Sequence, residues 1–290
     1  MCVVCGLVIL KLRKSKAVRA APAAVPSDAT GKFPPGALDE IKAASGLSES
    51  QVDRIMQLIM IFEQSDTRWW LYYGYCRALS YDYSKAWRGT TVSLYGATTY
   101  NNNPGADAAR LFKQYGKGIK DLGWTSDKAC CQLPGCKGEK LWTISRNGTT
   151  TDWEAKDLQQ LNAPCQFCKT LASLNDNSAW RAAVWKAFSA EYFMPAIADL
   201  KKHGYPMKAA IVGFAVDFAL NEGKSGLASG FKSAGRSIAA LVAHRAKSGS
   251  CCNASAANAK KRAEMWNDAI TSNPDLAHDV GPLAAKYKPE

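Results

Sequence analysis

The stretch from Ala209 to Leu220 is apolar on every side of a helix and yet carries Asp217. A helix with no polar stripe belongs in the middle of a protein. The stretch is too short to cross a bilayer, and the acid inside it argues against that use. The chain must therefore wrap other helices around this one. It must also provide for a carboxylate that, so placed, is either paired or neutral. Arg245 and Arg262, on the two later helical segments, are the candidate partners.

Helical periodicity supplies the surrounding layers. Val52, Ile55, Met56, Ile59 and Phe62 recur at three- and four-residue steps, and the spacing of Ser48 to Gln51 predicts a capping box at the start of that helix. Ala108 to Gln114 opens another helix. The chain is helical again from Ala179, with Pro195 as a kink. Phe231 to Lys247 and Ala256 to Thr271 complete a helical C-terminal part. Residues 81–107 are rich in Gly, Thr, Asn and β-branched types and predict short strands and turns. The fold class expected is mainly α (α+β), with a small β region.

Residues 1–36 read as a tail and linker ending at Pro34-Pro35-Gly36, and 37–290 as one domain. Cys2 to Leu10 has the length of a signal core, but the basic cluster comes after it instead of before it. Of the ten cysteines, Cys76, Cys130, Cys131, Cys136, Cys165, Cys168, Cys251 and Cys252 lie beyond the tail. That even number suits four disulfides and a stapled insertion at about 121–170. A zinc site of Cys130, Cys136, Cys165 and Cys168 is the rival, without paired CxxC motifs or a nearby histidine. Sequons at Asn147 and Asn253 also favour a secreted chain.

The net charge is +12, from 37 basic and 25 acidic residues, which ordinarily points to a polyanion. Yet residues 44–107 are slightly acidic, and the basic residues of 201–247 fit no nucleic-acid motif, so they read as a solvated face. His203, His244 and His278 stand in no triad or HExxH context, and there is no P-loop or GxGxxG after a strand.

The candidate chemistry lies between Ser48 and Thr91, in the first long helix and the aromatic run beyond it. Glu63 continues the apolar stripe into the last turn, where the helix dipole and an apolar setting both favour the protonated acid. Its bland reading is a solvated glutamate at a frayed helix end. Asp82, between Tyr81 and Tyr83, suits an ionised base acting on water, or is a simple turn residue. Thr90 and Thr91 suit the holding of that water, or reflect strand propensity. Trp69, Trp70, Tyr72, Tyr73 and Tyr75 offer surface for sugar rings, or core. Two separated carboxylates with aromatic surface between them are the parts needed to cleave a sugar chain.

In this order the residues resemble the chitosanases of glycoside hydrolase family 46, over roughly 47–115 and 180–285. The segments that carry the resemblance are Phe62-Glu63-Gln64-Ser65, Tyr73-Gly74-Tyr75, Arg88-Gly89-Thr90-Thr91, Gly96, Asp107, Tyr192-Phe193-Met194-Pro195-Ala196 and Gly213-Phe214-Ala215-Val216-Asp217. The resemblance implies a lysozyme-like, two-lobed fold with a cleft between lobes. It also implies an inverting endo-hydrolase acting on β-1,4 linkages of chitosan, secreted and monomeric, without cofactor or metal. Glu63 would be the acid, Asp82 the base and Thr91 (or Thr90) the residue holding water. Asp107, Arg88 and Tyr75 would bind substrate, and Asp217, Arg245 and Arg262 would form a salt-bridge network behind the acid. The family's aspartate lies two residues before its arginine, where this chain has Ala86, so Asp82 serves only across a four-residue insertion. Glu222 stands where many relatives have histidine. A muramidase acting on anionic cell wall and a catalytically degenerate carbohydrate-binding protein are the competing functions.

Overall fold

The computed structural model describes residues 31–81, 87–98, 107–118, 120–123, 166–248 and 253–288. Its helices are α1 (Asp39–Ser45), α2 (Glu49–Gln64), α3 (Asp107–Tyr115), α4 (Gln166–Ser173), α5 (Ser178–Phe188), α6 (Met194–Lys202), α7 (Ala209–Ala234), α8 (Ile238–Lys247), α9 (Asn253–Ser272) and α10 (Gly281–Tyr287). Strands β1 (Cys76–Tyr81), β2 (Trp87–Val92) and β3 (Ala97–Thr98) form one antiparallel sheet in that order. The fold is thus mainly helical with a small sheet, as expected. Most of the cysteine-rich stretch, and Asp82 with it, lies outside the described residues.

The first half of α7 is the axis of the molecule. Ala209 to Ala219 is buried without a break, and α2, α6, α8 and α9 pack around it. Gly213 makes the contact with α9 possible, since a Cβ there would stand 2.5 Å from Trp266 Cη2 and 3.0 Å from Ile55 Cγ1. The helix breaks at Gly223, whose φ of 74° and ψ of 170° lie outside the helical region and suit a residue without Cβ.

Helix α2 begins as its sequence dictates. The Ser48 N–H donates to Gln51 Oε1 (2.8 Å) and the Gln51 N–H to Ser48 Oγ (3.3 Å), a closed capping box. Val52, Ile55, Met56, Leu58, Ile59, Met60 and Ile61 are buried. Burying a large aliphatic side chain fully contributes roughly 1.5–3 kcal/mol, so these residues, which surround the helix at 58–61, hold it in place.

Three expectations change in detail. Residues 31–36, read as linker, include a packed segment. Phe33 lies 4.8 Å from the Trp69 ring and 5.0 Å from that of Trp185, and Tyr73 Oη donates to the Lys32 carbonyl at 3.0 Å. The kink expected at Pro195 falls at a change of helix type: Pro195 sits in the first turn of α6, directly after a π turn at Ser189–Phe193 that joins α6 to α5. Phe231 to Lys247 is two helices, because Gly235 ends α7 with φ 60° and Ser237 caps α8.

Candidate active site

Glu63 lies one residue before the end of α2, which stops at Ser65 in a left-handed conformation (φ 54°). Its side chain is about a quarter exposed (25%). Arg262 of α9 donates through Nη2 to Glu63 Oε1 at 2.7 Å and through Nη1 to Asp217 Oδ1 at 2.6 Å. The other oxygen of Asp217 accepts from Trp266 Nε1 at 3.1 Å, and Asn221 Nδ2 stands 3.3 Å from Oδ1. Arg262 also lies over the Phe62 ring, 4.7 Å from its centroid.

The physical order of this chain is clear. Asp217 is buried and pinned by its own neighbours, Arg262 is pinned by Asp217, and Glu63 is pinned by Arg262. Burial by itself would push the Arg262 guanidinium down, but the carboxylates of Asp217 and Glu63 outweigh it and hold it above its ordinary value. Arg262 therefore stays charged. Among the described residues Glu63 Oε2 has no hydrogen-bond partner, so one carboxylate oxygen is anchored and the other is open to a ligand.

Arg245 joins this network through charge, without a direct bond to Asp217. It is buried, and pairs with Glu222 at 3.2 Å and Ser248 Oγ at 2.7 Å, whereas Asp217 is bonded to Arg262. Here burial wins: it pushes Arg245 below its ordinary value against the pull of Asp217 and Glu222. Glu222 thus supplies the carboxylate that pairs with Arg245.

The other candidate residues lie on α3 and the sheet. Asp107 opens α3; its Oδ1 accepts from Arg110 Nη2 and its Oδ2 from Tyr192 Oη at 3.3 Å. Thr91 lies in the middle of the sheet, paired with Arg77 of β1 and Thr98 of β3, and is partly exposed. Tyr75 is half-buried beside the Tyr72 ring (6.0 Å), and its carbonyl accepts from the Ser93 N–H at 2.8 Å, which joins the aromatic run to the sheet. Arg88 and Thr90 belong to β2. Trp69 and Tyr73 are core, so that part of the aromatic run serves packing. Cys76, fully buried at the head of β1, is disulfide-bonded; the side chains of the other cysteines lie outside the described residues.

Sequence reasoning missed Trp266, Glu191, Arg110 and Lys224. Arg262 and Trp266 are four apart on α9 and Asp107 and Arg110 three apart on α3, spacings that place side chains on one helix face. Glu191 offered no such signal, since a π turn is what brings it to this cluster.

No family model matches the chain. By sequence it is 32% identical over 207 residues to a chitosanase of Niallia circulans, an alignment that covers 71% of this chain and 61% of the relative. The chain thus spans about three fifths of that relative's length. A solved chitosanase from Bacillus subtilis, complexed with six GlcN, superposes with a TM-score of 0.52 at 19% identity, over 80% of this chain and 94% of the other. A family 46 chitosanase of Gynuella sunshinyii in complex with chitotetraose gives 0.50 at 17% identity, over 79% and 92%. The chain is a distant match to these enzymes and has their fold.

Proposed function

We propose that this distant relative of the family 46 chitosanases is itself a secreted chitosanase, one catalytic domain that cleaves β-1,4 linkages within chitosan and inverts the anomeric carbon. The observation that carries the reading is the relay from Asp217 through Arg262 to Glu63. It fixes one carboxylate oxygen of an acid at a helix end and leaves the other open to a ligand. The similarity to chitosanases in sequence and in fold supports the choice of substrate.

In this mechanism Glu63 Oε2 delivers a proton to the leaving glycosidic oxygen while Arg262 prevents the carboxyl group from rotating. Asp82, which lies outside the described residues, removes a proton from water on the opposite face of the ring, with Thr91 holding that water. Inversion requires the two carboxyl groups to stand about 6.5–9.5 Å apart, enough to admit the water. Asp107 receives a glucosamine ammonium, and Arg88 and Tyr75 contact neighbouring sugars.

Glu63→Gln tests the reading. Reducing-end release from chitosan should fall by at least about a thousandfold, as for loss of an essential general acid, while binding of glucosamine oligomers persists. Product anomers monitored by proton NMR should appear first as α. Wild-type protein that clears bacterial cell walls and leaves chitosan intact would favour a muramidase, the reading to which a net charge of +12 is better suited.

A further inference from the structure

Around Asp107 the charges alternate. Arg110 reaches Asp107 through Nη2, and its Nε stands 2.8 Å from Glu191 Oε1. Glu191 Oε2 in turn lies 3.2 Å from Lys224 Nζ. Two backbone irregularities bring these groups together. The π turn holds Glu191 and Tyr192 side by side in the cluster, and Lys224 comes directly after the break at Gly223. Glu191 is mostly covered (18% exposed), whereas Lys224 is half-exposed (52%) on a long flexible stem.

Asp107 and Arg110 by themselves cancel, and a cancelled pair has little to offer an ammonium group. Glu191 changes that balance, because it takes a share of the same guanidinium and restores negative charge to the Asp107 side. Lys224 opposes it, though more weakly, since its charge stands in solvent where screening is strong. We infer that Glu191, acting through Arg110, is a specificity-determining residue that sets the preference of the Asp107 subsite for cationic glucosamine over its neutral acetylated form. The inference rests on the assignment of Asp107 to substrate in the proposed function.

The test uses the full chain carrying Glu63→Gln, so that ligands are bound and not cleaved. Calorimetric titration with a glucosamine hexamer and a half-acetylated hexamer compares this parent with Glu191→Gln and Lys224→Met added separately. Glu191→Gln should weaken the glucosamine hexamer about tenfold, equivalent to about 1.4 kcal/mol, and the half-acetylated one by markedly less. Lys224→Met should act with the opposite sign and tighten the glucosamine hexamer. Thermal midpoints within a few degrees of the parent show that the variants fold. Equal weakening of both hexamers by Glu191→Gln, or weakening by Lys224→Met, overturns the inference and leaves the chitosanase reading intact. A parent that binds neither hexamer overturns that reading and the inference with it.

Discussion

Arg262 is the residue on which the site turns. A buried ion pair broken on one side leaves an unpaired charge, at a cost of about 3–5 kcal/mol, whereas well-packed apolar replacement of both partners is often neutral. Asp217→Asn should therefore lower thermal stability sharply, and Asp217→Leu with Arg262→Met should recover most of the loss. Turnover of chitosan should not recover, because Glu63 would have lost its anchor. Calorimetric midpoints and reducing-sugar release from the same preparations separate the two effects. A double variant that regains activity as well as stability would show that the relay matters only for folding.

Among the elements, α7 meets α9 at Gly213 with no space left for a side chain. Gly213→Ala would drive a methyl group into Trp266, and such overpacking costs about 1–3 kcal/mol. The thermal midpoint should fall by several degrees. Turnover should fall too, since Trp266 is a donor to Asp217. The junction of α9 with α10 carries a pH dependence. Lys286 and Tyr287 both donate to Asp268 at 2.7 Å and hold its carboxyl below the usual aspartate value. A lowered carboxylate stabilises the folded chain at and above the ordinary aspartate range, and that contribution disappears as the pH falls through the lowered value. Asp268→Asn should therefore be less stable than wild type near neutrality, with the difference closing in strong acid; melting curves across pH measure it.

The elements differ in how legible they were. Helix α2 could be read because its cap, its periodicity and its burial agree. The split at Gly235 could not, since Ser233-Ala234-Gly235-Arg236-Ser237 sits between two apolar helical patterns that run on in phase, Leu227, Phe231 and Ala234 before it and Ile238 and Leu241 after it. At the candidate site, a buried carboxylate announces that it needs a cation, and Asp217 duly has one. Which arginine serves it depends on helix packing, and Arg245 turned to Glu222, a residue that belongs to no visible motif.

Across the whole molecule, residues 31–36 act as a strap over helices far apart in sequence. Lys32 pairs with Asp53 at 2.8 Å, and the same carboxylate accepts from Trp69 Nε1 at 2.8 Å and Gln57 Nε2 at 2.9 Å. The Lys32 carbonyl also accepts from Arg181 Nη2 at 2.9 Å, which adds α5 to the junction. Removing residues 1–36 should cost roughly 4–6 kcal/mol more than removing 1–30, from the Lys32–Asp53 ion pair, the hydrogen bonds of Tyr73 and Arg181 to the Gly31 and Lys32 carbonyls, and partial burial of the Phe33 ring. Guanidinium melts of the two shortened chains should differ by that amount.

Glu63 and Arg262 are 199 residues apart, and Asp217 stands 45 residues before Arg262. A ribosome must thus add 199 residues after Glu63 before the guanidinium can arrive beside it. Until α9 docks, an emerging chain already carries Glu63 but has nothing to hold its carboxyl group in place.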